Sequence, residues 1–442
     1  MAFRKWKSQA VLLSNICLLM VTLIHLCIII TAQSVQLGAA FVLFGFQDMK
    51  RIVSNVLRKV SCDDTAICIL NSDKKILSSR RYVNREVQKR LRGICPAAAA
   101  DQHRSYIDLF VDECLDESGM RLCNLDGVAV TTRPGLIISL RVGTEKAIAL
   151  ARKGCIPLIP VHHMQAHATI ATLMKQVSYP YVSVLISGGH SIIAITNGPD
   201  DFEVLLTSTS GSPGECIDKI SRALNFKEPE LLGLHPGAAL EVMASRSSVN
   251  GFKRYSIDIN RFLKMDLHFN FSWIKATYLV MISRQRILNV PDFCASVQHS
   301  IAKYLVEKLD CCLQYLNDSN KIPPRNRLVF VSGGVASNKY ILAKISGACE
   351  SRGYSLCAPP QFYCCDNAEM IAWNGIQLLT KGAASVILPD KIPASIFVSS
   401  RSRIGVDISQ DLRKYLAMTY ETSAEAAERR NREHWRNTSF KS

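Results

Sequence analysis

Tyr181-Val-Ser-Val-Leu-Ile-Ser-Gly-Gly-His190 and Leu328-Val-Phe-Val-Ser-Gly-Gly-Val335 are two versions of one device. In each, a short apolar run rich in valine stops at Ser-Gly-Gly. Such a run reads as a strand buried on both faces. Glycine then lets the chain turn tightly and brings backbone N–H groups close to an anion. A helix following each loop is expected to add its positive dipole end. Two such strands among helical stretches argue an α/β fold with two phosphate-facing loops. Neither loop reads G-x-x-x-x-G-K-S/T or G-x-G-x-x-G, so a P-loop or dinucleotide fingerprint is not supported.

Working outward, Ala66–Leu70 reads as a strand with a turn at Asn71–Lys74. Residues 99–119 pattern as a helix with Ile107, Phe110, Val111 and Cys114 on one face. Val128–Thr132 and Ile156–Pro160 are short strands, Gly143–Lys153 is a helix, and a further helix opens at His162 and runs to Val177. Beyond residue 403 the chain turns polar and charged, as in a helix with a frayed tail.

The chain has 442 residues, 48% of them hydrophobic, enough for two or three cores. Lys and Arg number 53 against 37 Asp and Glu, a formal net charge of +16. That excess suits a polyanionic partner, and it equally suits a soluble protein of high pI. None of the 16 cysteines forms a C-x-x-C pair, which excludes a zinc ribbon or a secreted disulfide framework and leaves reduced, mostly buried thiols. Residues 10–32 are apolar and follow Arg4, Lys5 and Lys7, so they read as a membrane anchor, a targeting segment, or a mistaken start of the gene. Residues 1–60 are therefore set outside the fold.

His163 and His167 are four apart, which on a helix places both imidazoles on one face. That is half of a site for zinc or iron, and a third ligand, expected to be a carboxylate, is not found by spacing alone. The competing reading is a pair of capping or solvent-facing histidines, with His162 as cap or substrate contact. Glu215 and Asp218 open a helix after Gly211-Ser-Pro-Gly, where acids can meet ribose hydroxyls or simply favour the dipole. Asp63 and Asp64 precede a strand and can supply a base or a surface turn. Asp366 reads as the cap of the helix that follows it. The basic run Arg80–Arg92 reads as a solvated helix face, or as an RNA contact.

Together the motifs become specific. Ser61-Cys-Asp-Asp-Thr-Ala, Arg133-Pro-Gly-Leu, Ile159-Pro-Val-His-His-Met-Gln-Ala-His, Leu185-Ile-Ser-Gly-Gly-His, Pro213-Gly-Glu-Cys-Ile-Asp-Lys, Val331-Ser-Gly-Gly-Val-Ala-Ser-Asn and Cys365-Asp-Asn-Ala-Glu-Met-Ile-Ala-Trp-Asn-Gly occur in this order. Over residues 61–408 the chain resembles the TsaD/Kae/Qri family of tRNA threonylcarbamoyladenosine transferases. Ala-Trp-Asn-Gly and Gly405-Val-Asp-Ile-Ser resemble its mitochondrial branch most.

The resemblance implies an actin/Hsp70/sugar-kinase-like (ASKHA) fold, with one lobe at 61–177, a second at 178–402, a nucleotide cleft between them and a charged tail at 403–442. It implies transfer of threonylcarbamoyl from threonylcarbamoyl-AMP to N6 of the adenosine 3′ of the anticodon, in tRNAs reading ANN codons. It makes His163, His167 and Asp366 ligands of one divalent metal, iron or zinc. It makes Leu185, Ile186, Ser187, Gly188, Gly189, Asp218, Gly237 and Asn338 substrate contacts, and Asp63 an acid at the reacting centre. The implied partners are tRNA, a separate Sua/YrdC-type synthase and a second copy of the chain, with a membrane only if residues 10–32 act as an anchor. The implied compartment is the mitochondrion.

Several positions depart from the family. Leu57-Arg-Lys-Val replaces its usual first strand end, Gln88 replaces a histidine while His103 is kept, Pro236-Gly237 replaces a glycine pair, and Trp273 replaces a glycine. The rival functions are an ATPase or kinase of the same fold, a non-catalytic scaffold, and a metallopeptidase, the last disfavoured by the lack of H-E-x-x-H.

Overall fold

The computed structural model describes residues 52–57, 64–84, 95–259 and 267–419. The expected residues 10–32, Asp63, Gln88 and most of the basic run lie outside the described residues.

Two sheets organise the fold. The first holds β1 (Ile52–Leu57), β2 (Asp64–Leu70), β3 (Ile76–Val83), β4 (Gly127–Arg133) and β5 (Leu158–His162) in the order β3-β2-β1-β4-β5. The second holds β6 (Tyr181–Ile186), β7 (Ser191–Thr196), β8 (Phe202–Ser210), β9 (Phe269–Asn270), β10 (Leu328–Ser332), β11 (Ser355–Cys357) and β12 (Val406–Asp407). Its order is β11-β10-β6-β7-β8-β12, with β9 also on β8. Each sheet contains the same unit: a three-stranded antiparallel meander whose first strand has a parallel neighbour, which pairs in turn with another parallel strand. This is the expected α/β, ASKHA-like architecture.

The pairing follows from burial. Every residue of β6 is buried, as is every residue of β10, so both need cover on two faces and sit side by side in the sheet. β3 alternates less cleanly and lies at an edge. Helices Pro96–Ser118 and Ile137–Gly154 pack on the first sheet, burying Ile107, Phe110, Val111 and Cys114 with Val128, Val130, Ala147 and Ile148. The second core gathers Phe269, Phe271, Tyr278, Phe293 and the 29-residue helix Val290–Asp318. Each large side chain buried in this way contributes about 1.5–3 kcal/mol.

Two expectations are corrected here. The fold does not begin at residue 61: Ile52–Leu57 is the middle strand of the first sheet, antiparallel to β2 and parallel to β4. IVSNVL carries no period-two alternation, and the departure at Leu57-Arg-Lys-Val makes a first strand look replaced; only the pairing shows it. The basic run is not a helix where it is described. Arg80 lies in β3, and its guanidinium bonds Glu113 and Glu117 of the neighbouring helix at 3.0 and 2.7 Å.

Candidate metal centre and glycine cleft

The centre starts at the end of β5. His162 caps the helix His163–Met174, its Nδ1 accepting the N–H of Met164 at 3.2 Å. Capping is thus the part His162 plays. It releases the next turn, on which His163 and His167 stand with ring centroids 4.8 Å apart and planes at 88°.

Asp366 meets both rings. One carboxylate oxygen lies 3.2 Å from His163 Nε2 and the other 2.8 Å from His167 Nε2. All three side chains are buried, at 3%, 2% and 11% exposure. The reading of Asp366 as a helix cap is corrected. The helix is Ala368–Lys381, and its cap is Asn367, whose Oδ1 accepts the N–H of Met370 at 2.8 Å. Asp and Asn are equally good caps, and the register assigns the task to the second of the pair. The carboxylate is left to face the histidines.

One atom from each of His163, His167 and Asp366 lies within 4.8 Å of the others, and this is the one such group of metal-ligand residue types among the described residues. Two imidazole nitrogens and a carboxylate oxygen, buried and convergent, suit a borderline divalent ion. The Oγ of Ser332 lies 3.3 Å from His167 Nδ1 and fixes the ring from behind. Sequence reading missed this contact, because 165 positions separate the two residues.

The Ala-Trp-Asn-Gly motif holds the two helices together. Trp373 Nε1 donates to Thr172 Oγ1 at 2.7 Å, and Asn374 donates to Thr169 Oγ1 and to the carbonyl of Pro199 at 3.2 and 3.0 Å. These bonds tie the helix behind Asp366 to the helix of the histidines, so the geometry of the centre is built into the core.

The two Ser-Gly-Gly loops differ from expectation and from each other. The first is a hairpin turn between β6 and β7, with Ser187 Oγ accepting the N–H groups of Gly189 and His190 at 3.3 and 3.1 Å. No helix follows it. The helix terminus beside it belongs to Pro213–Leu224: Ser212 Oγ donates to the Gly188 carbonyl at 2.8 Å, and Gly214 N donates to the Ser187 carbonyl at 3.3 Å. A Cβ on Gly214 would sit 2.8 Å from Gly188 Cα, so glycine permits this approach. Gly188 itself faces open space.

The second loop leads through a short turn, Gly334–Ser337, into the helix Lys339–Ser351. Gly333 has φ 103°, and a Cβ there would lie 2.2 Å from the carbonyl oxygen of Ile186. The ends of β6 and β10 therefore interlock. The first loop, the second loop and the His163 helix converge where these parallel strands end, as ligand sites in α/β sheets do.

The remaining expected contacts divide. Leu185 and Ile186 are buried in separate core clusters, so only their backbone can face a ligand. Ser187, Gly188 and Gly189 form the open hairpin. Asp218 sits one turn along the Pro213 helix, half-buried, accepting from Arg222 at 2.9 Å. Glu215 instead pairs with Lys275 at 2.7 Å, so the two acids do not act as one pair. Gly237 lies next to Ile217 and donates its N–H to His235 Nδ1 at 3.2 Å. Asn338 is buried and used structurally: its Oδ1 caps the following helix at Ile341, and its Nδ2 reaches Gln298 at 3.4 Å. Trp273 lies half-buried against the second core, in the first turn of the helix Phe271–Ser283. His103 is fully buried behind the start of β2, its Nδ1 2.8 Å from Thr65 Oγ1, and burial lowers its pKa to about 4.

Comparison with known proteins identifies the family. The family model described as TsaD, tRNA N6-adenosine threonylcarbamoyltransferase, matches residues 75–373. A protein of Caenorhabditis elegans described as a probable mitochondrial tRNA N6-adenosine threonylcarbamoyltransferase is 40% identical over 361 residues, covering 80% of this chain and 85% of its own. The Homo sapiens mitochondrial tRNA N6-adenosine threonylcarbamoyltransferase is 34% identical over 367 residues, covering 80% and 86%. Among solved structures, HypF of T. kodakarensis aligns with a TM-score of 0.48 at 12% identity, over 78% of this chain and 49% of that one. The chain belongs to the TsaD family of tRNA N6-adenosine threonylcarbamoyltransferases.

Proposed function

We propose that this chain transfers the threonylcarbamoyl group of threonylcarbamoyl-AMP to N6 of the adenosine 3′ of the anticodon, in mitochondrial tRNAs reading ANN codons. The observation that carries the reading is the meeting of His163, His167 and Asp366 beside two glycine loops, in a chain of this family. No helix among the described residues is long and apolar enough to cross a membrane, and residues 10–32 lie outside them. The relatives named above are mitochondrial, which supports that compartment.

The reaction joins the adenine N6 amine to the carbonyl carbon of a mixed carbamic–phosphoric anhydride. A carbon–nitrogen bond forms, the bond from carbonyl carbon to phosphate oxygen breaks, AMP leaves, and the amine loses one proton. The nucleophile is weak, so holding the two reactants in register supplies most of the rate. The open Ser187–Gly189 hairpin, next to the start of the Pro213 helix, presents N–H groups to phosphate or carbonyl oxygen. Asp218 and Gly237 flank it from the same lobe and position the nucleoside part. Asp63, one residue before β2 in the sequence, is the acid we assign to the departing proton. A divalent ion held by His163, His167 and Asp366 would supply positive charge for the phosphate oxygens of the donor, and we assign it as iron or zinc. Ser332 keeps the His167 ring turned toward Asp366. The donor comes from a separate Sua/YrdC-type synthase, and the chain acts as a homodimer.

The test supplies purified full-length protein with a tRNA transcript and synthetic threonylcarbamoyl-AMP, followed by nucleoside analysis. The expected product is threonylcarbamoyladenosine at the position after the anticodon. ATP turnover without tRNA and without that product would move the reading to a kinase or ATPase of the same fold.

A further inference from the structure

We propose that a cluster of rings and lysines on the second lobe, bordering the glycine loops, docks the phosphate backbone of the tRNA. This rests on the reading of tRNA as substrate and names the surface that receives it. Three segments far apart in sequence meet there: the turn Gly251–Lys253, the helix Val290–Asp318 and the helix Lys339–Ser351. The rings of Phe252 and His299 lie 4.4 Å apart at 43°, and His299 Nδ1 is 2.7 Å from the Tyr340 hydroxyl. The Lys253 ammonium stands 5.8 Å over the Phe252 ring, and that of Lys344 5.5 Å over the Tyr340 ring. Lys303 is one turn beyond His299 on the same helix face.

The charges here are poorly matched within the protein. Lys253 and Lys344 are exposed and form no ion pair with a carboxylate among the described residues. Among the described residues Lys303 has only Glu307, at 3.7 Å. His299 sits among these cations without adding to them: burial lowers its pKa, and the charges of Lys344 and Lys303 lower it further. The lysine heads are held on ring faces, so less side-chain freedom is lost when a phosphate arrives. A compact ammonium is a general phosphate contact that reads no base.

The surface adjoins the glycine loops. Asn338, which closes the second glycine loop, bonds Gln298, the neighbour of His299. The N–H of Lys339 donates to Glu241 at 2.8 Å, one turn along the helix that carries Gly237. An RNA strand lying on the lysines would thus pass the loops that hold the donor.

The experiment compares full-length wild type with Lys253→Glu/Lys344→Glu and Lys253→Gln/Lys344→Gln, measuring KM for tRNA, KM for threonylcarbamoyl-AMP, kcat, and the salt dependence of tRNA binding. A matched control, Arg121→Glu/Lys153→Glu, changes the same net charge next to and on a first-lobe helix. The charge reversal is expected to raise KM for tRNA about tenfold or more and to flatten the slope of log K against log salt by roughly 1–2. kcat and the donor KM stay at wild-type values, the Gln pair moves less in the same direction, and the control moves least. If the wild type modifies tRNA while the reversed pair keeps the wild-type KM and salt slope, or the control shifts as far, the docking surface is wrong and the enzyme assignment stands. If the wild type neither binds nor modifies tRNA, both fall.

Discussion

Gly333→Ala should be far more damaging than the same change one residue later. Gly333 lies at φ 103° and ψ 161°, a region almost closed to residues with a Cβ, and holding Ala there costs about 1–3 kcal/mol. The added carbon would also sit 2.2 Å from the Ile186 oxygen and 2.7 Å from its carbonyl carbon. Relief needs the strand ends to part by about 1 Å, toward the 3.3 Å of an ordinary carbon–oxygen contact. That strains the last rung between β6 and β10, where Ser332 pairs with Leu185, and a lost ladder bond costs about 1 kcal/mol. The expected destabilisation is roughly 2–4 kcal/mol. Gly334 has no positive φ, and a Cβ there meets no atom within 4 Å, so Gly334→Ala should change stability by less than about 0.5 kcal/mol. Denaturant unfolding of both variants, with tRNA modification alongside, makes the comparison. Gly333→Ala should also lose activity in the folded population, because Ser332 would leave His167. Equal stability of Gly333→Ala and wild type, or equal damage at Gly334, would refute the interlock of the strand ends.

Asn367→Ala should lower stability by about 1 kcal/mol and weaken metal retention, because the cap that frees Asp366 is gone; Asn367→Asp, which can still cap, should restore both. Unchanged metal retention in Asn367→Ala, measured by dialysis against a chelator, would remove the cap from the account. His103 carries a pH signature. Its pKa falls from 6.5 to about 4 on folding, so its contribution is complete above pH 6.5, is lost as pH drops to 4, and is constant below. The loss is on the order of 3 kcal/mol. Unfolding curves of wild type and His103→Gln across that window should converge as pH falls; parallel curves would show that His103 is not held neutral by burial.

How much of this was legible follows from the kind of signal each residue carries. β6 matched its expected limits because five apolar residues around a single serine, between turn formers, leave little choice. The pair His163 and His167 was legible from its spacing on a helix, but its partner was not, since Asp366 and Asn367 are both capping types and only tertiary register decides which caps. The helix dipole expected after Ser187 exists beside the loop, but it comes from the helix opening at Pro213, 26 residues on, whose start was legible while its return to the hairpin was not. β1 was hidden because it ends in the atypical Leu57-Arg-Lys-Val and its IVSNVL has no strand-like alternation. His103 and Ser332 act through residues remote in sequence, and periodicity carries no record of such contacts.

The most direct test of the central claim is the metal content of full-length protein and of His163→Ala/His167→Ala, read by elemental analysis together with tRNA modification and unfolding. The expected result is about one divalent ion per wild-type chain, with neither ion nor product in the double variant, which still unfolds cooperatively. A double variant that modifies tRNA at the wild-type rate, or retains the same ion, would contradict the site.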